Sequence, residues 1–338
     1  MHTIERVKEF KPHPALRNTH LMTIAGSFLR RRFPRLPAST ARLFQVAADT
    51  QMRGDCHWQP EPQRRPTLLL LHGLEGSSES SYMFGTAEKA YAAGFNVVRL
   101  NQRNCGGTER LTPTLYHSGR SADFRAIVLE LIERDRLPEI FIAGFSMGGN
   151  LVLKMAGEFG DSVPDELRGI AAVAPCIDLA ACCDALSQPR NFLYNRHFVR
   201  RLKRRMRHKA EIFPEIYSAN GLMAELARVR NVRDFDESIT AKFCGFRGAD
   251  DYYERSSAMH FLETIRRPTL VLTAQDDPFV PFRIFEHAAL RENTNIQLVA
   301  PQHGGHCAFI SAEGWAERFW AEARIVDFCR AQLGAAAG

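Results

Sequence analysis

From about residue 66 the chain alternates between two kinds of apolar pattern. Short, nearly continuous apolar runs read as strands buried on both faces: Thr67–Leu71, 95–100, 139–143, 169–174 and, after a gap, 269–274 and 295–300. Between them lie stretches with apolar residues at helical spacing. These are 82–92, 122–134 behind Ser121 as the expected N-cap, and 150–159, where Leu151, Val152, Met155 and Phe159 share a face. Strands and helices alternating at this spacing predict an α/β fold, a mostly parallel central sheet with helices on both faces.

The alternation stops between 177 and 262, which holds helical pieces and many aromatic residues but no apolar strand run. The expected organisation is a core made from 66–176 and 263–333, with a helical cap, 177–262, inserted late in the chain. Such a cap would lie over the strand ends, where open α/β sheets place their sites. Residues 1–65 are expected to pack on the core. Within them 1–50 shows no clear period, while 43–58 alternates loosely through Leu43, Phe44, Val46 and Met52, which fits an antiparallel edge hairpin. A helix over 312–333 should close the fold and 334–338 should fray.

Composition changes this picture little. The 338 residues are 45% hydrophobic and 24% charged, ordinary for a globular chain of one large or two smaller domains. The net charge of +6 is local, because 196–209 holds eight Lys or Arg and no acid. The eight cysteines form no C-x-x-C and no zinc spacing, and residues 1–17 are polar and charged rather than a secretory signal, so a reducing cytoplasm is expected. No apolar run approaches the roughly 18 residues a membrane span needs.

The chemistry centres on Gly144-Phe145-Ser146-Met147-Gly148, placed between an apolar strand and a helix. That is the context of a nucleophile elbow, in which a tight turn exposes the serine and the helix start offers unpaired N–H groups. A serine nucleophile needs a base and an orienting acid, the acid in a loop after a later strand and the base after the last one. Asp276 and Asp277 follow the strand at 269–274. Asp277 is preferred for its spacing to Pro281, and Asp276 is the alternative, able to serve as a turn residue bonding its own backbone. His306, flanked by Gly304-Gly305, is preferred over His303 as base. The oxyanion donors are expected to be the backbone N–H groups of Met147 and of Leu74, in the loop after 67–71. His72 is read as holding that loop rather than moving protons.

Over about residues 10–330 the chain resembles the AB hydrolase-4 family, the YheT-like esterases of the α/β-hydrolase superfamily. The resemblance rests on His72-Gly73-Leu74-Glu75-Gly76-Ser77-Ser78, on Arg103-Asn104-Cys105-Gly106-Gly107 with Leu115-Tyr116-His117-Ser118-Gly119, and on Gly144-Phe145-Ser146-Met147-Gly148-Gly149-Asn150. It extends to Phe235-Asp236-Glu237, Tyr252-Tyr253, Asp276-Asp277-Pro278-Phe279 and Gly304-Gly305-His306. Asn104 and Ser118 stand where the family pattern suggests Gly and Ala or Ser. The resemblance implies an α/β-hydrolase fold and carboxylic ester hydrolysis by Ser146, Asp277 and His306 without metal or organic cofactor. Short- to medium-chain acyl esters are the expected substrates, with lipid esters or acyl transfer to an alcohol as alternatives.

One feature lies outside that scheme. Phe198, Leu202 and Met206 recur every four residues among Arg200, Arg201, Arg204 and Arg205, an amphipathic basic helix. It is read first as a cap helix packing its apolar stripe on the body, and alternatively as a contact for an anionic membrane surface through 196–209. Nucleic-acid binding is not expected, since no nucleic-acid motif accompanies the charge.

Overall fold

The computed structural model describes residues 7–218, 221–314 and 316–334. Eight strands form one sheet in the order β1-β2-β4-β3-β5-β6-β7-β8. They are β1 (Thr40–Ala47), β2 (Thr50–His57), β3 (Thr67–Leu71), β4 (Asn96–Leu100), β5 (Ile140–Phe145), β6 (Leu167–Val173), β7 (Thr269–Leu272) and β8 (Ile296–Val299). The hairpin β1–β2 joins β4 antiparallel, and all other pairings are parallel. The continuous apolar runs are explained by burial on both faces. In β3, Leu69 and Leu71 pack with Phe124, Ile127 and Leu151 on one side, while Leu68 and Leu70 pack with Met83, Trp320 and Ile325 on the other. Each fully buried leucine contributes about 2 kcal/mol.

The direction of winding reverses at β3. The chain goes from β3 to β4 on one side and to β5 on the other, which leaves a crevice beyond the carboxyl ends of β3 and β5. The helices that follow these strands are α2 (Ser81–Ala92) and α4 (Met147–Phe159), with α3 (Ser121–Glu133) between them in the chain. Among its described residues the segment between β6 and β7 contains helices and connecting turns and no strand. It includes α5 (Leu179–Leu186), α6 (Phe192–Ile212), a π-helical turn at Asp236–Thr240 and the helix Ala249–Ser256. Asn150 of α4 pins its return: the amide donates to Ser256 O (2.8 Å) and accepts from Ala258 N–H (2.7 Å).

Three expectations need correcting. A helix, α1 (Thr19–Phe28), lies in the stretch that shows no clear period. Its pattern is obscured because apolar residues occupy both faces, with Met22 buried and Leu21, Ile24 and Phe28 exposed. Just after it, the Arg31 side chain is buried. It pairs with the buried Glu322 at 2.5 Å and lies over the Phe319 ring. Ser121 is the first residue of α3 rather than its cap, and its hydroxyl donates to Glu158 (2.5 Å). The closing helix starts at Trp320, not near 312, because Ile310 and Ser311 form isolated bridges to Phe319 and Pro12. It ends at Gly334, and 335–338 lie outside the described residues.

Candidate active site

Ser146 stands at the junction of β5 and α4 with φ 55° and ψ −119°, a backbone conformation that costs energy for any residue with a Cβ. The turn is tight enough that a Cβ on Gly144 would come within 2.1 Å of Gly148 O, and one on Gly148 within 2.6 Å of His72 O. The hydroxyl is directed at the crevice rather than the packed interior. His306 Nε2 lies 2.9 Å from Ser146 Oγ, and His306 Nδ1 lies 2.8 Å from Asp277 Oδ2. Three side chains separated by 131 and 29 positions in the sequence are thus brought into one hydrogen-bonded row.

The candidate acid, Asp277, is fixed from behind. Asp277 Oδ1 accepts the N–H groups of Phe279 (2.8 Å) and Val280 (3.0 Å), and its side chain is fully buried. Burial alone would push the His306 pKa down, but the Asp277 carboxylate, together with the neighbouring Cys307, outweighs it and holds the imidazole well above the ordinary histidine value. Asp276 does not bond its own backbone. Its Oδ1 accepts from Gly305 N–H (3.0 Å) and its Oδ2 lies 3.3 Å from His303 Nδ1, so this second carboxylate and His303 tie the acid loop to the base loop. Helix α1 completes the support, unforeseen from sequence. Thr23 Oγ accepts from His306 N–H (2.9 Å), and Thr19 Oγ donates to Asp276 O (2.6 Å).

In the loop after β3 the backbone donors are almost all engaged. Gly73 N–H donates to Tyr82 Oη (3.0 Å), Glu75 N–H to Tyr116 Oη (3.3 Å), Gly76 N–H to Gly73 O (3.1 Å) and Ser78 N–H to Asn101 Oδ1 (2.9 Å). Among the described residues the Leu74 N–H, between two pinned neighbours, has no partner. Met147, as the first residue of α4, leaves its N–H outside the helix ladder. His72 is completely buried. Its Nδ1 donates to Gly73 O (2.8 Å) and its Nε2 accepts from Gln102 N–H (3.1 Å), while burial lowers its pKa to about 4. A neutral imidazole with both nitrogens engaged holds the loop and has no proton to trade.

A buried ion pair fastens this loop to α6. Glu75 takes a left-handed backbone (φ 57°) and turns its carboxylate inward. Arg205 donates Nε to Oε1 (2.8 Å) and Nη2 to Oε2 (3.1 Å), Tyr116 Oη donates to Oε1 (2.7 Å), and Arg201 donates to the Glu75 carbonyl (2.7 Å). Arg205 also bonds the carbonyl of Asn104, which adopts a left-handed φ of 63°, a conformation Gly favours and Asn tolerates. Two of the four arginines grouped from sequence therefore point into the protein.

Two cavities meet at Ser146. The first, about 130 Å³, is mostly apolar and lies between the core and the helical segment, with Leu115, Cys182, Leu186, Leu202, Met206 and Phe235 in its wall. The apolar stripe of α6 thus faces the site. The second, about 500 Å³, opens to solvent between α1, the 73–76 loop and the start of α6. Cys176, not singled out from sequence, places Sγ 3.8 Å from Ser146 Oγ; its position just after β6 is its only sequence signal.

Comparison with known proteins bears on the fold and the family. The family described as alpha/beta hydrolase fold matches residues 66–313. A protein named "Putative esterase YheT", from Escherichia coli (strain K12), is 32% identical over 97% of this chain and 94% of its own length. Phospholipase ABHD3 of Mus musculus is 30% identical over 79% of this chain, which spans 64% of the mouse protein. Among solved structures, a Pyrococcus furiosus esterase, Pf2001, superposes with a TM-score of 0.57 at 15% identity, covering 89% of this chain and 96% of its own. At that identity the likeness concerns the fold.

Proposed function

The chain belongs to the α/β-hydrolase-fold family, among its YheT-like members, and on that premise we propose that it is a serine carboxylic ester hydrolase working through an acyl-enzyme. The observation that carries the proposal is the row Ser146–His306–Asp277, with hydrogen-bond distances of 2.9 and 2.8 Å. His306 removes the Ser146 proton as the oxygen attacks the ester carbonyl. Asp277 fixes the imidazole tautomer and stabilises the imidazolium. The N–H groups of Leu74 and Met147 receive the developing oxyanion; each such donor is typically worth ~3 kcal/mol. His306 then protonates the leaving alcohol, and water repeats the sequence to release the acid.

We take residues 177–262 as the cap that supplies the acyl cavity. At about 130 Å³ that cavity is close to the ~150 Å³ that accommodates benzene. Acyl chains of about six carbons fit this space, and long saturated chains do not unless the cap moves. The larger open cavity suits the alcohol side of the ester. Its room for an incoming alcohol also favours a second reading, acyl transfer, which uses the same residues.

A panel of p-nitrophenyl esters of rising chain length, run beside Ser146→Ala, tests the proposal. Activity should peak at short to medium acyl chains and vanish in the variant. Hydrolysis of no chain length, or full activity in Ser146→Ala, would overturn it. Adding an alcohol and measuring the division between acid and new ester separates hydrolysis from transfer.

A further inference from the structure

The exposed large apolar side chains are concentrated at the rim of the open cavity. On α1 they are Leu21 (53% exposed), Ile24 (44%) and Phe28 (73%), which recur at i, i+3 and i+7 on one face. On α6 they are Phe192 (58%) and Leu193 (76%), at its first turn. His20 stacks on Tyr194 with ring centroids 5.7 Å apart, so the two helices meet, and Ile24, Phe28 and Leu193 all line the same cavity that reaches Ser146. Scattered single apolar residues need no explanation, but a rim of them around a cavity mouth marks a contact surface.

The charge around this rim has one sign. From Phe192 the solvent-facing stripe of α6 continues through Arg196, Arg200, Arg204 and Arg207. Their side chains form no ion pair among the described residues, unlike Arg201 and Arg205, which are held by Glu75. The two carboxylates in the cavity wall are already neutralised, Glu322 by Arg31 and Lys89 and Glu75 by Arg205. Among the described residues the rim thus presents apolar tips beside unpaired cations, with both carboxylates lining the cavity already paired.

We infer that this rim is an interfacial docking surface for an anionic phospholipid bilayer, which seats Leu21, Phe28, Phe192 and Leu193 among the acyl chains and the α6 arginines on the headgroups. The occupant follows from position. A second copy or a protein partner on these residues would cap the mouth that leads to the nucleophile, whereas a lipid surface covers the apolar rim and can deliver an ester through it. Apolar area and basic charge together are what interfacial helices use. The inference deepens the hydrolase reading by placing substrate delivery at a membrane surface, and its test is arranged to be independent of turnover.

Ser146→Ala protein, which cannot consume lipid, is co-sedimented with sucrose-loaded vesicles of phosphatidylglycerol and phosphatidylcholine, and with phosphatidylcholine alone. Binding is expected to the anionic vesicles and to weaken with added salt. Arg196→Gln/Arg200→Gln should weaken it by about fivefold per arginine. Leu21→Ser/Phe192→Ser should weaken it as well; neither residue lines the cavity, so the same pair in otherwise unaltered protein should hydrolyse a soluble short ester at the parent rate. Three results would overturn the inference: no binding to anionic vesicles, parent-like binding by both pairs, or a parent dimer that Leu21→Ser/Phe192→Ser converts to monomer. The first leaves soluble-ester hydrolysis untouched, so failure of docking and failure of the hydrolase proposal read out separately.

Discussion

Replacing Arg205 by methionine should separate the stability of the protein from its chemistry. The arginine side chain is 12% exposed and the Glu75 side chain 3%. Removing the guanidinium leaves a buried carboxylate with only the Tyr116 hydroxyl at 2.7 Å and Arg201 at 3.5 Å. Orphaning one partner of a buried pair typically costs 3–5 kcal/mol, and the two remaining partners place this case near the lower end, about 3 kcal/mol. For a chain of 338 residues that corresponds to a fall in Tm of roughly 4 °C. The activity consequence comes through the loop. Glu75 follows Leu74, whose N–H has no partner among the described residues, so loosening Glu75 misplaces the N–H proposed to receive the oxyanion. Complete loss of such a donor lowers kcat by about 10²–10³, so partial misplacement should lower it by roughly 10- to 100-fold with KM changed less than about twofold. The companion double variant, Arg205→Met/Glu75→Gln, removes both charges and should recover most of the lost stability. It should not recover kcat, because the loop is still unfastened from α6. The assays are thermal unfolding and steady-state hydrolysis of a soluble ester on all four proteins of the cycle. Parent-like kcat in both single variants, or strictly additive stabilities, would refute the reasoning.

Other outcomes follow from the same geometry. Because His306 acts as a base only when neutral and Asp277 holds its pKa above the ordinary value of ~6.5, kcat/KM should decline as pH falls through a point above that value. In Asp277→Asn the largest upward pull disappears while burial still pulls down, so a pH–rate profile should show this limb at lower pH, with kcat reduced about 10⁴-fold. Gly73→Ala would set a Cβ 3.0 Å from Ser146 Cβ and 3.2 Å from Phe145 O, so kcat should drop at least about tenfold while circular dichroism shows a folded chain. Met206→Phe narrows the apolar cavity and should move the optimum of an acyl-length series to shorter chains, with turnover of the acetyl ester largely preserved.

The parts legible in the sequence are those whose signal is local. The inner parallel strands are buried on both faces, so β3 reads as an uninterrupted apolar run; Gly144 is required by its approach to Gly148 O, within a few residues of the serine. The carboxylate and imidazole that meet Ser146 are legible because each follows a strand. What stayed hidden depends on contacts far along the chain. Helix α1 buries Met22 and Thr23 against the core while exposing Leu21, Ile24 and Phe28, so no single stripe announces it, and the bond from His306 N–H to Thr23 joins residues 283 positions apart. The inward turn of Arg205 was hidden for the same reason. A run of arginines looks solvated until the partner, Glu75, is known, and that partner lies 130 positions earlier. Asp276 was misjudged because a carboxylate in a turn has a local bond available, yet here it serves the base loop instead.

The central claim is that Ser146, His306 and Asp277 act as one nucleophilic unit. Incubation with a fluorophosphonate and intact-mass and peptide analysis tests it most directly. A single phosphonyl adduct on Ser146 is expected, slowed by orders of magnitude in His306→Ala and absent in Ser146→Ala. An unmodified parent protein, or an adduct on another residue that persists at the parent rate in Ser146→Ala, would contradict it.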